Sequence, residues 1–541
     1  MMPQLRLNEI RLPLDHDDAA LGCAVRARLG DDAGALADFV VARRAIDARK
    51  KSTILLTYTI DVTLSDAAAQ ARLLAMPSIR PKPDTDYRFV AQAPRGLRMR
   101  PIVIGTGPCG LMAGLMLARM GFRPIILERG RLVRQRTKDT WALWRRGVLD
   151  PASNVQFGEG GAGTFSDGKL WSQIKDPHHL GRKVLEEFVR AGAPVEILTM
   201  AHPHIGTFRL VTMVERIRAT IESLGGEYRF DTKMVDVLVE DGRIGGVILE
   251  NGETLLSDHV VLAIGHSARE TFAMLESRGV HIEAKPFSIG VRIEHPQSLI
   301  DANRWGDHAG HKLLGAAEYK LVHHCETGIA AGRTVYSFCM CPGGTVVAAT
   351  SETGRVVTNG MSQYSRNERN ANSGIVVGIT PADYPGGLMA GVAYQRHWEE
   401  RAFVAGGSNY NAPAQLVGDF LAGRASVALG SVVASYRPGV TPTDLSLCLP
   451  DFAVAAIREA LPAFARQIKG YDMADAVMTG VETRTSAPVR ITRDASFQSL
   501  NTRGLYPAGE GAGYAGGILS AGVDGIRVAE AVALSMVAGA I

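Results

Sequence analysis

The chain has 541 residues, 46 % of them apolar and 21 % charged, with a formal net charge of +4. That length is more than one hydrophobic core can organise, so several domains are expected. The composition is that of a soluble globular protein, and so small a net charge gives no reason to invoke a polyanionic partner. The six cysteines (Cys23, Cys109, Cys325, Cys339, Cys341, Cys448) are scattered, which argues against a disulfide framework and for a reducing compartment. The N-terminal Met-Met-Pro-Gln-Leu-Arg-Leu-Asn-Glu lacks the apolar segment of a secretory signal. The long uncharged runs Pro101–Ala118 and Thr334–Ser351 are broken by glycines or by Pro342-Gly-Gly344, so neither reads as a membrane span. A cytoplasmic protein is the expectation.

Residues 1–98 read as a separate N-terminal domain. Leu5–Leu14 predicts a strand, Ala19–Leu29 a helix, Asp38–Arg44 a strand and Ser65–Leu74 a helix. Between the last two, Ile54, Leu56, Tyr58, Ile60, Val62 and Leu64 alternate with polar residues, the period-2 signature of a half-buried strand. This order predicts a ferredoxin-like α+β unit, with Pro77–Pro94 as a linker. The basic run Arg43, Arg44, Arg49, Lys50, Lys51 fits a solvated turn or a docking surface better than a phosphate site, and the domain is a candidate for holding a protein partner.

From residue 99 the pattern becomes α/β. A short apolar strand (Pro101–Ile104) runs into Gly105-x-Gly107-x-x-Gly110, a helix follows to Arg119, and a second strand (Pro124–Leu127) ends on Glu128. This is the spacing of a βαβ dinucleotide site: Gly105 permits the tight turn, Gly107 lets a pyrophosphate approach the backbone, and Gly110 lets helix and strand pack closely. The helix N-terminus presents unpaired N–H groups and a positive dipole end. Glu128 is placed to accept hydrogen bonds from a ribose.

Further along, Asn154–Leu170 is a glycine-rich loop, and Val184–Ala191 and Leu210–Leu224 predict helices. Arg229–Val239 and Ile244–Leu249, joined at Glu240-Asp-Gly-Arg, predict a β-hairpin with Glu253–Leu256 as a third strand. Val260–Ile264 is an apolar strand ending at Gly265. Residues 285–475 carry short strand patterns and irregular loops and read as an inserted mixed α+β substrate or cap domain. The dinucleotide-binding domain is thereby divided into 99–284 and 476–541. Its last part holds Leu505-Tyr-Pro-Ala-Gly-Glu510 and a C-terminal helix (Leu519–Val537).

Three separated segments point to FAD: the βαβ unit, the Val260–Gly265 turn, and the Leu505–Glu510 strand with its following helix. A carboxylate at the end of such a strand can bind a ribityl hydroxyl, and a helix N-terminus beyond it can face the flavin and stabilise negative charge there. A nicotinamide-only dehydrogenase needs no such C-terminal return.

Longer motifs carry a family resemblance. Glu128-Arg-Gly130, Phe157-Gly-Glu-Gly-Gly-Ala-Gly-Thr-Phe-Ser-Asp-Gly-Lys-Leu170, Pro203-His-Ile-Gly-Thr207, Lys285–Pro296, Ser337-Phe-Cys-Met-Cys-Pro-Gly-Gly344 and Gly480–Pro488 resemble those of the uncharacterised bacterial FAD-dependent dehydrogenases. The resemblance covers essentially the whole chain. The FAD core is more distantly similar to that of the glutathione-reductase superfamily, an α/β Rossmann-like fold. It implies that Gly105, Gly107 and Gly110 meet the pyrophosphate, Glu128 the adenosine ribose, and the Met234 backbone the adenine, although valine is usual there. Gly160, Gly161, Thr164, Ser166 and Lys169 would line the pyrophosphate, ribityl and flavin side. Gly509, Glu510, Gly516, Gly517 and Ile518 would complete the isoalloxazine cradle. Pro108, Cys109, Arg129, Gly130, Arg136, Gly168 and Gly265 complete the candidate contacts. The family implies FAD and redox activity, and no substrate.

His202 and His204 are the candidate proton donors beside the flavin, with loop-fixing hydrogen bonds as the plain alternative. His266 reads as a backbone-contacting residue. Arg484-Thr-Ser486 is a polar cluster able to hold an anionic substrate. Cys339-x-Cys341 would place two thiols on one strand face. That is too few ligands for a metal, and no metal is expected. The basic stretch Arg129–Arg146 either meets FAD phosphates or is a solvated helix face. The reading is an FAD-dependent oxidoreductase (dehydrogenase) that moves hydride between a small-molecule substrate and non-covalent FAD. No second βαβ unit of this kind follows, which leaves room only for transient NAD(P)H binding. The alternatives are an FAD-dependent RNA-modifying or RNA-docking protein, and a flavin-binding scaffold without turnover. Against the RNA reading, the strands lack aromatic ribonucleoprotein motifs and the charge is small.

Overall fold

The computed structural model describes residues 3–539. Its N-terminal unit runs β1 (Gln4–Pro13), α1 (Asp18–Leu29), β2 (Leu36–Asp47), β3 (Leu55–Leu64), α2 (Ala67–Leu74) and β4 (Ile79–Pro81). The sheet order is β2-β3-β1-β4 with every pairing antiparallel. Two split β-α-β units therefore interleave in the ferredoxin-like manner. The alternating side chains Ile54 to Leu64 all lie in the core. The expected linker begins later than its prolines indicate. Ile79–Pro81 pairs with Leu5–Leu7 as an edge strand, where proline is tolerated because that edge donates nothing to a neighbour. The basic run sits at a contact between units: the Arg44 N–H donates to the Thr199 carbonyl (2.7 Å) and the Ala201 N–H to the Arg44 carbonyl (2.9 Å).

The second unit begins with β5 (Ile102–Ile104), α3 (Pro108–Arg119), β6 (Ile125–Leu127), α4 (Val133–Arg146), α5 (Leu180–Arg190), α6 (Thr207–Ser223) and β7 (Glu227–Arg229). It continues through β8 (Met234–Glu240), β9 (Arg243–Leu249), β10 (Thr254–Leu256), β11 (Val260–Leu262) and α7 (Arg269–Ser277). Arg229 thus belongs not to the hairpin but to β7, which adds in parallel to β6. Four residues separate the two strands, so one continuous apolar pattern divides between two sheets. β12 (Ile282–Ala284) leads out of this unit.

The third unit contains β13 (Phe287–Pro296), α8 (Gln297–Trp305), β14 (Val322–His324), β15 (Thr334–Ala348), β16 (Thr358–Ser362), β17 (Asn370–Ile379) and α9 (Ala390–Ala405). After it come β18 (Ala412–Leu416), α10 (Val417–Ala422), β19 (Val440–Pro442), α11 (Asp451–Ala465) and β20 (Val477–Glu482). These strands form one mixed sheet in the order β14-β15-β17-β13-β20-β18-β19, with β16 on β15. The sheet runs on past residue 475, because β20 pairs with both β13 and β18. The chain then returns through β21 (Val489–Ile491), which pairs with β12, and β22 (Leu505–Pro507) to α12 (Ile518–Ala538).

The five-stranded sheet β22-β11-β5-β6-β7 is parallel throughout. Side chains alternate across its pleat. Val103, Ile126, Val261 and Tyr506 pack into the layer of α3, α5, α6 and α12. Ile102, Ile104, Leu127, Val260, Leu262 and Leu505 pack on the other side against Met234, Val237, Ile244, Val247 and Leu249 of the β8–β10 meander. Burial on both faces explains why these short strands are uniformly apolar. Helix α3, uncharged until Arg119 and buried from Cys109 to Ala118, is covered all round, as its sequence demands. No helix among the described residues is long and apolar enough to cross a membrane.

Candidate functional site

The carboxyl ends of β5, β11 and β22 open into one cavity of about 380 Å³, the place where parallel α/β sheets take their ligands. One side is backbone: the turn Gly105–Gly107, the loop from Gln156 to Trp171, the segment Ala263–Ala268, and Ala508–Ile518. The opposite wall is side chains of the large sheet: Phe338, Cys339, Thr358, Asn359, Glu482 and Arg484.

Two helices, α3 and α12, begin at this cavity. Their N-caps, Gly107 and Gly517, provide no side-chain cap, and neither first turn contains an acid. Free N–H groups and two positive dipole ends therefore face the same space, the electrostatics a dinucleotide's phosphates and an electron-rich ring edge require. The β5–α3 turn tolerates only glycine. Gly105 has φ 97°, and a Cβ there would lie 2.4 Å from the Ala263 carbonyl oxygen. A Cβ on Gly161 would fall 2.6 Å from the Gly107 Cα, so the glycine-rich loop closes directly onto the βαβ turn. The residues present fit a flavin dinucleotide.

Of the residues singled out from the sequence, Gly105, Gly107, Pro108, Cys109, Glu128, Arg129, Gly161, Ser166, Gly168, Lys169 and Met234 line the cavity. So do Gly265, Gly509, Glu510, Gly516, Gly517 and Ile518. Gly110, Gly130, Arg136, Gly160 and Thr164 lie behind them. Gly110 permits close packing, its Cβ position being 1.9 Å from the Gly105 oxygen. Arg136 is fully buried and donates to the carbonyls of Asn154, Val155, Gly158 and Glu159, so it braces the glycine-rich loop from beneath.

Glu128 joins three segments. Its carboxylate accepts from the Thr106 N–H (3.1 Å) and hydroxyl (2.6 Å), and from the N–H groups of Gly130 (2.9 Å) and Gly158 (3.0 Å). Four acceptor positions are all that an ionised carboxylate offers. A ribose contact at Glu128 therefore requires one of these bonds to be released. Arg129 beside it lies over the Phe157 ring at 3.9 Å and pairs with Glu270. Within the rest of the basic stretch, Arg131 pairs with Asp139 (3.1 Å) and Arg134 with Glu215 (2.6 Å), while Lys138, Arg145 and Arg146 lie on the exposed face of α4.

His202 and His204 do not line the cavity. The exposed His202 stacks on Trp171 (4.6 Å between rings), and Trp171 reaches the cavity in its place. His204 Nε2 lies 3.0 Å from the Tyr364 carbonyl and its ring stacks on Tyr364. Burial, followed by the charge of Arg366, pushes the His204 imidazole below its ordinary range and favours the neutral form. His266 does line the cavity, with Nδ1 3.7 Å from Glu510 Oε2.

The side-chain wall is held by buried ion pairs. Arg292 Nε donates to Glu482 at 2.9 Å, and burial, opposed by Arg292, pushes the Glu482 carboxyl up. Arg484 donates to Glu399 (3.1 Å), Ser267 (3.2 Å) and Ser351 (2.6 Å), while Arg269 of α7 pairs with Glu399 at 2.6 Å. Burial alone would raise the Glu399 carboxyl, but the charges of Arg269 and Arg484 outweigh it and hold it well below the usual range. Arg484 therefore meets the cavity already neutralised, and an anionic substrate would have to compete with Glu399. The strand is bulged between Phe338 and Cys341, so the two thiols of Cys339-x-Cys341 are not plain i, i+2 neighbours on a flat strand face. Cys339 faces the cavity and Cys341 is buried. Thr106, Phe157, Trp171 and Asn359 also line the site. They escaped the sequence reading because each is an ordinary residue until a distant loop is placed opposite it.

Residues 286–485 match the family model described as "FAD-dependent protein, C-terminal domain-like", and residues 4–63 match a domain of unknown function (DUF8436). An uncharacterized protein of Clostridium beijerinckii is 46 % identical over 527 residues, covering 97 % of this chain and 98 % of its own length. Among solved structures, the flavin-dependent brominase Bmp2 overlays with a TM-score of 0.37 at 13 % identity, over 81 % of this chain and 80 % of that one. The glycerol-3-phosphate dehydrogenase from Bacillus halodurans complexed with FAD overlays with a TM-score of 0.35 at 12 % identity, over 82 % and 70 %. Likenesses that weak transfer no residue role and no reaction.

Proposed function

Because the chain belongs to the uncharacterised FAD-dependent family that includes the Clostridium beijerinckii protein, we propose that it is an FAD-dependent oxidoreductase acting on a small molecule. The observation that carries this reading is the pair of uncapped helix N-termini, α3 and α12, opening on one cavity with a side-chain wall opposite. The fold around them is read as a Rossmann-like FAD domain of glutathione-reductase type.

In this reading Gly105, Gly107 and the first turn of α3 hold the pyrophosphate of a non-covalent FAD, with Arg129, Lys233 and Met234 toward the adenosine end. Gly161 to Lys169 and Gly509 to Ile518 hold the ribityl and ring end. When bound, FAD supplies two-electron chemistry, taking up or giving back a hydride equivalent. The chain's own residues do the remaining work. Thr358, Asn359 and Glu482 offer polar groups at the wall. His266 and Glu510 form a cavity-facing pair able to hold or pass a proton at the His266 ring. His202 and His204 have no catalytic part in this reading, since neither lines the cavity. NAD(P)H is proposed only as a transient reductant, the N-terminal unit as a docking domain, and the compartment as the cytoplasm.

The test is the colour of the purified protein. A yellow preparation that releases FAD on denaturation, and that bleaches anaerobically with one member of a metabolite pool, supports the reading and names the donor. A colourless protein that fails to take up added FAD overturns it.

A further inference from the structure

Strand β15 is broken twice against β17: Phe338 pairs with Gly374, Cys341 with Asn372 and Gly344 with Asn370. Cys339 lies at the first break with φ 43°. A non-glycine residue keeps that left-handed conformation only where its surroundings over-determine it. They do so here. Arg292, which has no exposed surface, donates from Nη1 to the Cys339 carbonyl at 2.9 Å. The Lys169 ammonium donates to the next carbonyl, Met340, and the Cys341 thiol lies 3.3 Å from the Cys339 oxygen, to which it donates. Three side chains thus pin one bulge. The bulge turns Cys339 toward the cavity and keeps Cys341 beneath it.

We propose that Cys339 and Cys341 form a dithiol/disulfide couple on the cavity wall, with Cys339 attacking, Cys341 resolving, and a low-molecular-weight disulfide as co-substrate. The electrostatics set the order of events. A side-chain contact between the two thiols, distinct from the Cys341 bond to the Cys339 carbonyl, and then the charges of Arg292 and Lys169 hold the Cys339 thiol below the ordinary range, against burial and Glu482. The same thiol–thiol contact, with burial, pushes the Cys341 thiol up. An acidic thiol facing the cavity beside a protonated one underneath is the arrangement of a nucleophile and its resolver.

The Cys339 thiolate attacks one sulfur of R–S–S–R. A Cys339–S–S–R bond forms, the R–S–S–R bond breaks, and RS⁻ departs and takes a proton. Cys341 then gives up its proton and attacks the Cys339 sulfur, forming the Cys339–Cys341 bond and releasing the second RS⁻, which is protonated in turn. The net change is dithiol plus RSSR to protein disulfide plus two RSH, two electrons having passed to the small molecule. Restoring the dithiol takes two electrons and two protons. The reduced cofactor of the proposed function is the donor, and at that one point the proposal rests on that reading.

The test is thiol exchange on the purified, pre-reduced full-length protein. Oxidised glutathione is the probe and peptide mass spectrometry the readout. In the wild type, Cys339 and Cys341 should become linked to each other with no glutathione retained. Cys341→Ser should trap glutathione on Cys339, and Cys339→Ser should show neither product. At neutral pH Cys339 should react about tenfold faster than the exposed Cys23, which serves as the internal reference. A persistent glutathione adduct on Cys339 in the wild type, or a Cys339 no faster than Cys23, overturns the proposal. The wild-type measurement decides even if a variant fails to fold. FAD content of the same samples is read separately, so a colourless protein sinks the proposed function while exchange still tests the couple.

Discussion

The two sides of the cavity are built by different means. The dinucleotide side is mainly backbone: glycines, turns and helix ends, each set within its own short segment of sequence. The opposite wall is side chains drawn from β15, β16 and the end of β20, which lie far apart in the chain and are held by buried charge pairs such as that of Glu482 with Arg292 of β13. A backbone-made site should fail through steric exclusion, and a side-chain-made wall through broken electrostatics.

The largest effect is expected from breaking the wall. Arg292→Met leaves Glu482 buried without its partner, which costs about 3–5 kcal/mol. Thermal unfolding should shift accordingly, and Arg292→Met with Glu482→Leu should recover much of the loss, because an apolar pair carries no buried charge. If the double variant were no better than the single, the wall would not be held electrostatically.

Acid should act on the same region. Burial pushes the His295 imidazole down to about 4, while its Nε2 lies 2.6 Å from the Tyr471 carbonyl. A base whose folded pKa is depressed stabilises the fold fully above its unfolded value of about 6.5, and that contribution is lost as pH falls toward 4. The loss should reach about 3 kcal/mol in chemical denaturation at pH 4. His295→Gln should flatten the profile between those limits.

A smaller loss is expected on the backbone side, where Gly110→Ala places a methyl 1.9 Å from the Gly105 oxygen. About 1–3 kcal/mol of overpacking strain should appear in the melting temperature, and bound flavin should fall because the Gly105 turn must move. Normal flavin retention in Gly110→Ala would show that the turn is less tightly determined than its packing implies.

The difference between the two sides also sets how much the sequence could disclose. Gly105, Gly107, Gly161 and Gly509 declare themselves locally, because a turn or a close approach permits nothing else. The parallel strands do so too, since burial on both faces leaves only apolar residues. The wall was legible only in part. Arg484 and Cys339 stood out as residue types, but whether either is free depends on Glu399 of α9 and on a bulge in β15, and both are set by the packing of distant segments. His202 and His204 looked catalytic for their residue type and loop setting, yet neither lines the cavity, because each ring is taken up in stacking, on Trp171 and Tyr364. The division between β7 and β8 was hidden for a related reason: hydrophobic pattern reports that a strand exists, and not which sheet it joins.

Lys169 bridges the two sides, since it leaves the glycine-rich loop and donates to the bulge at Met340. Lys169→Gln removes one of the two cations beside Cys339 and leaves Arg292 in place. The midpoint of Cys339 alkylation against pH should therefore rise, slowing its labelling at neutral pH by about threefold, the equivalent of half a pH unit. Cys23, remote from the site, should not change. An unaltered Cys339 profile would assign the acidity of the thiol to Arg292 and the Cys341 thiol contact alone. The backbone side would then position the wall's reactive residue without tuning it.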